Sequence, residues 1–497
     1  MSKLNRDILY LIFEKLHDDK NTLYTSLLVN KTWCETIIPI LWRNPWKYLT
    51  PRSENLLYNV IISHLSDELK NNLKFYGIDF STSLYKKLLF NYFSFCKHLD
   101  LVAISRIMYM NSNMSMNSSY LTQVCYSKCK STKLSVVMEI LKAFINVDTK
   151  FTHLYLPQDS ESQVHLIPEA KHSLSEIVFL SCYTLINDEI ITGLTEICHS
   201  IEVLEIFVEK KDTNYDIDEL CKVLENSLMK HAHTIQYFKI TSPPTTKILS
   251  SLVNLKGLEL NFRNRSIQMN NLEDIFLINL RILKSRNFQT NILRSLIVNT
   301  NGSLTEISID DTFNNEVDNK SIIQAIYQNC PNLQYLKLMF RNENVLELEQ
   351  LFICCKYLYG IYFLLTDVSS YLDKLFKILT ESSPTNLFRF KFKIIPDELI
   401  NLESLKLFFD NWKGRNSMLL QFELYGSVDL IDLIEEYESI GIIKEFNELN
   451  RYNTFKDFEW FLLFSIVIQF EIIGAIIFKL RFLESIRAEG SEDSKWL

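Results

Sequence analysis

Cys330-Pro331-Asn332-Leu333-Gln334-Tyr335-Leu336-Lys337-Leu338 carries the pattern that decides the fold. Apolar residues stand at Leu333, Leu336 and Leu338, so one apolar position is followed by others three and five residues on. The spacing recurs with first positions at Phe151, Leu174, Ile201, Ile235, Leu255, Leu280, Leu304, Leu333, Leu358, Leu387 and Leu419. Single steps run from 20 to 34 residues and average about 27. One such match in a leucine-rich chain means nothing. Leu402-Leu405-Leu407 fits the template yet falls out of step, and it is assigned to a helix. Eleven matches in order are a repeat. The last two apolar positions alternate, as in a short strand with two side chains inward and the one between them outward. Helix-like stretches such as Ile322-Ile323 with Ile326-Tyr327 separate the units. Each unit leaves a strand edge and a helix flank uncovered, so it is stable only when stacked on its neighbours.

This period and spacing resemble leucine-rich repeats. The resemblance implies an α/β solenoid over residues 151–426. That family's further Asn or Cys, three residues beyond the last leucine, is matched at Cys182, whereas Glu209, Pro243, Arg263 and Thr312 hold the position elsewhere. The side-chain hydrogen-bond ladder under the turns is therefore expected to be incomplete. Cys198, Cys330 and Cys354, just ahead of strands, fit the buried end of the preceding helix. The outward positions are Tyr155, Val178, Glu205, Lys239, Glu259, Lys284, Ser308, Lys337, Tyr362, Lys391 and Glu423. Late in this row, Tyr335, Lys337, Tyr362, Arg389 and Lys391 mix aromatic and basic groups, which suits anchoring a partner with acidic or apolar segments. These five are the expected target-binding residues.

Outward from the repeats, the N-terminal segment is the next most informative. Leu4, Ile8, Leu9, Ile12, Phe13 and Leu16 recur at helical spacing. Asn5 is placed to cap that helix, with Asp7 in its first turn. A second short helix is expected with Leu23, Leu27 and Leu28 inward, and a third with Trp33, Ile37, Ile38 and Leu41. Pro39 predicts a kink or break in the third, and Asn44-Pro45 its end. Fewer than about 40 residues bury little by themselves, so the segment is read either as a helical cap on the rest of the chain or as a docking module whose apolar face another protein completes.

Three blocks in order, Leu4-Asn5-Arg6-Asp7-Ile8-Leu9 with Ile12-Phe13 and Leu16, Leu28-Val29-Asn30-Lys31-x-Trp33, and Trp42, resemble an F-box. The usual Pro after the first Leu is Asn5, and the usual Cys before the basic residue is Asn30. The chain is thus read as an F-box protein with leucine-rich repeats. The fold class is an α/β leucine-rich-repeat solenoid preceded by a small all-α F-box-like helical module at 1–46, with a helical connector at 47–150 and a cap with an apolar tail at 427–497. The resemblance implies a substrate-receptor subunit of a cullin-RING (SCF-type) ubiquitin ligase. It would dock a Skp-type adaptor through Leu4, Ile8, Leu9, Ile12, Phe13, Leu16 and Val29, and a target protein through the repeats. The alternative is a leucine-rich-repeat scaffold that binds proteins without a ligase.

Composition narrows the other classes. Hydrophobic residues at 47% and charged residues at 23% are globular values. Lys plus Arg number 52 against 60 Asp plus Glu, a net charge of −8 with no basic stripe, so nucleic acid is not an expected partner. Only 10 glycines occur where average usage gives about thirty-five, and none pair into a phosphate-binding loop. There is no G-x-S-x-G elbow and no zinc spacing: Cys125 and Cys129 lack a second pair. His231-Ala232-His233 could share a strand face as a metal pair, although an ordinary loop pair is the simpler reading. No enzyme activity, cofactor or metal is expected. The charged start, Met1 to Asp7, lacks the apolar core of a signal peptide, which leads to the expectation of a cytoplasmic or nuclear protein with reduced cysteines. Helical patterns at 56–73, 84–95 and 134–144 flank a polar loop at 110–119. Trp460 to Phe478 is apolar apart from Ser465, Gln469, Glu471 and Gly474. Glu471 near its centre makes a membrane span costly, so a packed terminal helix is expected.

Overall fold

A computed structural model describes residues 5–17, 19–47, 49–75, 88–111, 123–158, 161–208, 217–262, 272, 275–310, 315–366, 372–395, 401–423 and 428–448. The apolar tail 460–478, Leu4 and most of the polar stretch 110–119 lie outside them. The chain divides into two compact units, with the boundary between Ile201 and Glu202.

The first unit opens with helices α1 (Arg6–Lys15), α2 (Lys20–Ser26), α3 (Lys31–Leu41), α4 (Pro51–His64), α5 (Asp67–Phe75) and α6 (Tyr92–Phe95). Strand β1 (His98–Asp100), helices α7 (Leu101–Asn111) and α8 (Gln123–Phe144), strand β2 (His153–Tyr155), α9 (Ala170–Ser173), β3 (Phe179–Tyr183) and α10 (Asp188–Ile197) follow. Local chemistry sets the helix starts. The Asn5 side chain accepts from the Asp7 N–H at 3.4 Å, Asn30 from Trp33 at 3.0 Å, and Thr50 and Ser53 form a reciprocal capping box ahead of α4. Pro39 sits inside α3 and does not break it. It falls in the last turn, and the helix closes beyond it with Trp42 N–H on the Ile38 carbonyl at 2.9 Å. Leu28 is exposed, not inward as expected, because α2 ends at Ser26 and the chain has left the helix there.

The second unit alternates strands and helices: β4 (Val203–Phe207), α11 (Ile217–Leu228), β5 (Tyr237–Ile240), α12 (Ile248–Ser251), β6 (Gly257–Asn261), β7 (Ile282–Arg286), α13 (Thr290–Val298), β8 (Glu306–Asp310), α14 (Glu316–Asn329), β9 (Tyr335–Phe340), α15 (Val345–Cys354), β10 (Gly360–Thr366), α16 (Leu372–Glu381), β11 (Arg389–Ile395), α17 (Leu402–Asn411), β12 (Met418–Glu423), α18 (Val428–Ser439) and β13 (Ile443–Glu448). Within each unit the strands pair parallel and in chain order. Parallel neighbours require a crossover between them, which the intervening helices and loops supply. This is a mixed α/β leucine-rich-repeat solenoid.

Register makes the repeat visible. Leu204, Phe238, Leu258, Leu283, Ile307, Leu336, Ile361, Phe390 and Leu420 stand opposite one another through the second unit, all 2% exposed or less. Leu99, Leu154 and Leu180 do the same in the first. Each such burial stabilises by about 1.5–3 kcal/mol. Towards the end of the chain phenylalanines replace leucines, and Phe363, Phe392 and Phe422 stack at centroid spacings of 6.0 and 5.3 Å. Leu402-Leu405-Leu407 lies on α17, with Leu405 buried and Leu407 exposed.

Pairing shifts two repeat units by a few residues. Leu154 faces Leu180, so the second unit reads Ile177-Leu180-Cys182, and Ser181, not Val178, holds the outward position. Cys182 is thus a core residue and not the turn residue the sequence suggests. Likewise Phe390 faces Leu420, so Gln421, not Glu423, belongs to the outward row. The apolar pattern repeats itself on sliding three residues in the first case and two in the second, and only hydrogen-bonded register removes that ambiguity. Strands β1 and β13 also carry the repeat outside 151–426, one in the stretch read as a helical connector and one in the stretch read as a cap. Within the connector, 56–73 is two helices, and the 84–95 pattern yields only α6 among described residues. His231-Ala232-His233 is not a strand pair: a 3-10 turn over Met229–His231 precedes β5.

The polar ladder sits at the opposite turn from the expected one. Where helices run into strands, side chains donate to carbonyls of the preceding repeat. Cys198 Sγ bonds the Leu174 carbonyl at 3.4 Å, Asn254 bonds His233 at 2.7 Å, Asn279 bonds Val253 at 3.0 Å and Cys355 bonds Cys330 at 3.5 Å. Cys198, Cys330 and Cys355 are buried, whereas Cys354 is exposed, which corrects the expectation for Cys354 by one residue.

Candidate functional site

In the first unit, α1 has two apolar faces. Leu9 and Phe13, four residues apart, are each 3% exposed and pack with Leu23, Ile37 and Ile38. Trp33 closes edge-on to Phe13 at 5.1 Å and joins α3 to α1, whereas Trp42, packed on the same cluster, lies 4.4 Å from Tyr92 of α6, beyond residues 1–46. Leu16 is partly buried against the same cluster. Arg43, just beyond α3, clamps Glu14 of α1 with two bonds of 2.7 and 2.8 Å and donates to the Tyr10 hydroxyl at 3.3 Å. That hydrogen bonding holds the Glu14 carboxyl below its usual range. The clamp fixes how α1 lies on α3, and hence which of its sides faces water.

The other side carries Ile8 at 47%, Leu11 at 64% and Ile12 at 43% exposure. Val29 and Leu28 are exposed as well. The expected adaptor-binding set therefore splits. Ile8, Ile12 and Val29 are open, Leu9 and Phe13 are core, Leu16 is intermediate, and Leu4 is outside the described residues. Leu11 was missed, although helical spacing places it three residues from Ile8 on the same face.

The second surface is the strand face opposite the core of the second unit. Opposite charges meet across neighbouring strands. Lys239 Nζ is 3.9 Å from Glu205 and 3.0 Å from Glu259, Lys284 is 3.2 Å from Glu306, and Asp310 lies 3.9 Å from Arg286 and 3.7 Å from Lys337. Cross-strand pairs of this kind align strands at modest energy.

The residues expected to present themselves for a target behave differently. Tyr362, Lys337 and Lys391 lie on this face, yet they are 2%, 3% and 2% exposed. The Tyr362 ring receives both ammonium groups, at 4.7 Å from Lys337 and 4.3 Å from Lys391. Met339 and Leu364 are buried with Tyr362. These three are a buried cation–π row, not the open surface the sequence predicts. Their lysine stems and ring are long enough to be covered while each charge keeps a partner.

Tyr335 and Arg389 occupy the entry edge of the same face and are partly exposed. The Arg389 guanidinium lies 5.9, 5.6 and 5.3 Å from the rings of Tyr335, Tyr359 and Phe388. Its Nη1 donates to the Tyr335 hydroxyl, two strands away. Between them in register stands Gly360. A Cβ there would come within 2.5 Å of the Tyr335 ring, so glycine leaves the floor on which that ring lies. Tyr359 and Phe388 escape a reading that tracks outward strand positions alone, because each precedes its strand by one residue.

Two histidine sites in the first unit are sensitive to acid. His98 and His153, paired across β1 and β2, stack at 3.8 Å. Asn44 donates to His98 Nδ1 at 3.2 Å, and burial, with the neighbouring His153, holds the His98 pKa down at about 3. His64 Nε2 accepts from the Tyr92 N–H at 3.1 Å, and burial lowers its pKa to about 4. No group of three or more His, Cys, Asp or Glu side chains could hold a metal among the described residues. No described helix is long and apolar enough to cross a membrane.

No protein-family model matches the chain, and no curated protein matches it. Among solved structures, it is similar to the leucine-rich repeat-containing protein LegL7 from Legionella pneumophila, at 12% identity and a TM-score of 0.30. The match covers 63% of this chain and 87% of that one. The assignment of the fold rests on the strand register and not on this likeness.

Proposed function

We propose that the chain is a non-enzymatic target-binding subunit of a cullin-RING ubiquitin ligase, docking a Skp-type adaptor through its N-terminal helices and a protein target through its repeats. The observation that carries the reading is the second apolar face of α1. Ile8, Leu11 and Ile12 stay exposed while Leu9 and Phe13 fill the module, in a segment whose sequence resembles an F-box. Exposed aliphatic residues clustered on one helix face mark interaction surfaces. Function would then come from proximity, since holding a target beside a ligase raises the effective concentration of the reacting groups. Cytoplasm or nucleus is the compartment this role implies. The second reading, a repeat scaffold without a ligase, shares the solenoid and lacks the adaptor.

Calorimetry with a purified Skp-type adaptor separates the two. The parent chain is expected to bind, and Ile8→Asp with Ile12→Asp to abolish binding without unfolding. Absence of binding by the parent, or full binding by the folded double variant, overturns the ligase reading.

A further inference from the structure

We infer that the Arg389 box at the entry edge of β9–β11 recognises an acidic side chain, Asp or Glu, of a partner protein. This rests on the reading of the repeats as a protein-binding surface and is independent of the adaptor. On the face opposite the core, four cations of the ladder have acidic neighbours, Lys239 with Glu205 and Glu259, Lys284 with Glu306, and Arg286 and Lys337 sharing Asp310, while Lys391 lies over the Tyr362 ring. Arg389 differs. It has no carboxylate partner among the described residues, and its one side-chain hydrogen bond runs from Nη1 to the Tyr335 hydroxyl. The Arg389 Nε is buried without an acceptor and out of a partner's reach, so the donors left for a partner are on Nη1 and Nη2.

A guanidinium offers five donors in a plane, and rings on its flanks hold that plane without satisfying them. Tyr335, Tyr359 and Phe388 provide such flanks. Glu306, beside Tyr335 in register, is engaged by Lys284 at 3.2 Å. The box is therefore a pre-oriented cation with an aromatic wall and donors to spare. A carboxylate fits it by charge and by the matching fork geometry. Gly360 is part of the construction. The equivalent pair in β5 and β6, Tyr237 over Gly257, has Ile282 in the next strand where this one has Arg389. Among the described residues a tyrosine over a glycine thus occurs twice, but only one of the two carries a charge.

The test uses the full chain and synthetic twelve-residue peptides with a central Glu in otherwise randomised sequence, against a matched set with central Gln. The parent should prefer the Glu set by about tenfold, the scale of losing one charge-assisted partner. Raised salt should weaken the preference. Arg389→Gln should erase it at unchanged thermal stability. Arg389→Lys, which keeps the charge and loses the plane, should cut it at least about threefold, and carries the test if the glutamine variant unfolds. Gly360→Ala, which displaces the Tyr335 ring, should also reduce it. Equal binding of the two sets, no binding by either, or an undiminished preference in the folded Arg389 variants overturns the inference. Loss of adaptor binding in the α1 variants leaves the peptide preference untouched, so the two readings fail separately.

Discussion

Phe13→Ala and Ile12→Ala, neighbours on one helix, should differ in consequence by orders of magnitude. Phe13 is 3% exposed and meets Trp33 edge-on at 5.1 Å, with Leu9, Ile37 and Ile38 in the same cluster. Removing a buried phenylalanine ring costs about 3–5 kcal/mol, of which an aromatic pair supplies roughly 0.5–1.5. Ile12 is 43% exposed, and truncating it should cost within about 0.5 kcal/mol. Hydrogen–deuterium exchange of the amides in α1 to α3 reads the difference. Phe13→Ala should raise the opening equilibrium by roughly two to three and a half powers of ten, and Ile12→Ala by less than about threefold. Equal acceleration by the two variants, or none in Phe13→Ala, would refute the division of α1 into an inner and an outer face. A consequence for docking experiments is that Ile12→Asp with Phe13→Asp removes a core ring and cannot separate binding from folding. Ile8 with Ile12 is the informative pair.

Two further outcomes follow from the buried polar groups. His98 and His64 are held at about 3 and 4 in the folded chain, below the ordinary histidine value near 6.5. The unfolded state therefore binds more protons between those values, so stability of the first unit is fully present above about pH 6.5 and declines as pH falls towards 3. His64→Gln should flatten the decline between about pH 4 and 6.5 in exchange or thermal-melt measurements, and an unchanged slope would count against it. In the second unit, Tyr362→Ala should destabilise by about 3–5 kcal/mol in urea unfolding, because it empties a buried site and leaves two lysines without their ring. A loss below about 1 kcal/mol would show that Tyr362 is not the buried centre of the row.

The sequence by itself determined the repeat, its mean period and the presence of a helical module ahead of it. Each rests on short-range physics: alternation for a strand, three- and four-residue steps for a helix, and capping by Asn5. It also placed Leu402-Leu405-Leu407 on a helix, from phase alone. What it left open was whatever depends on a second segment. Whether Ile177-Leu180-Cys182 or a frame three residues earlier forms the strand is settled by Leu154 across the sheet. Ile8 and Leu9 are equally apolar in the sequence, and the Arg43–Glu14 clamp beneath the module helps turn one to water and the other to the core. Lys337, Tyr362 and Lys391 read as an open mixed patch, yet adjacency across β9, β10 and β11 lets one ring take both ammonium groups, and the row is buried. Among the described residues Arg389 lacks a carboxylate partner for the same kind of reason. Its surroundings come from Tyr335, 54 residues earlier, laid flat over a glycine in the strand between them. Local pattern fixes which residues can face a given way, and only packing between distant segments fixes which of them still meets solvent.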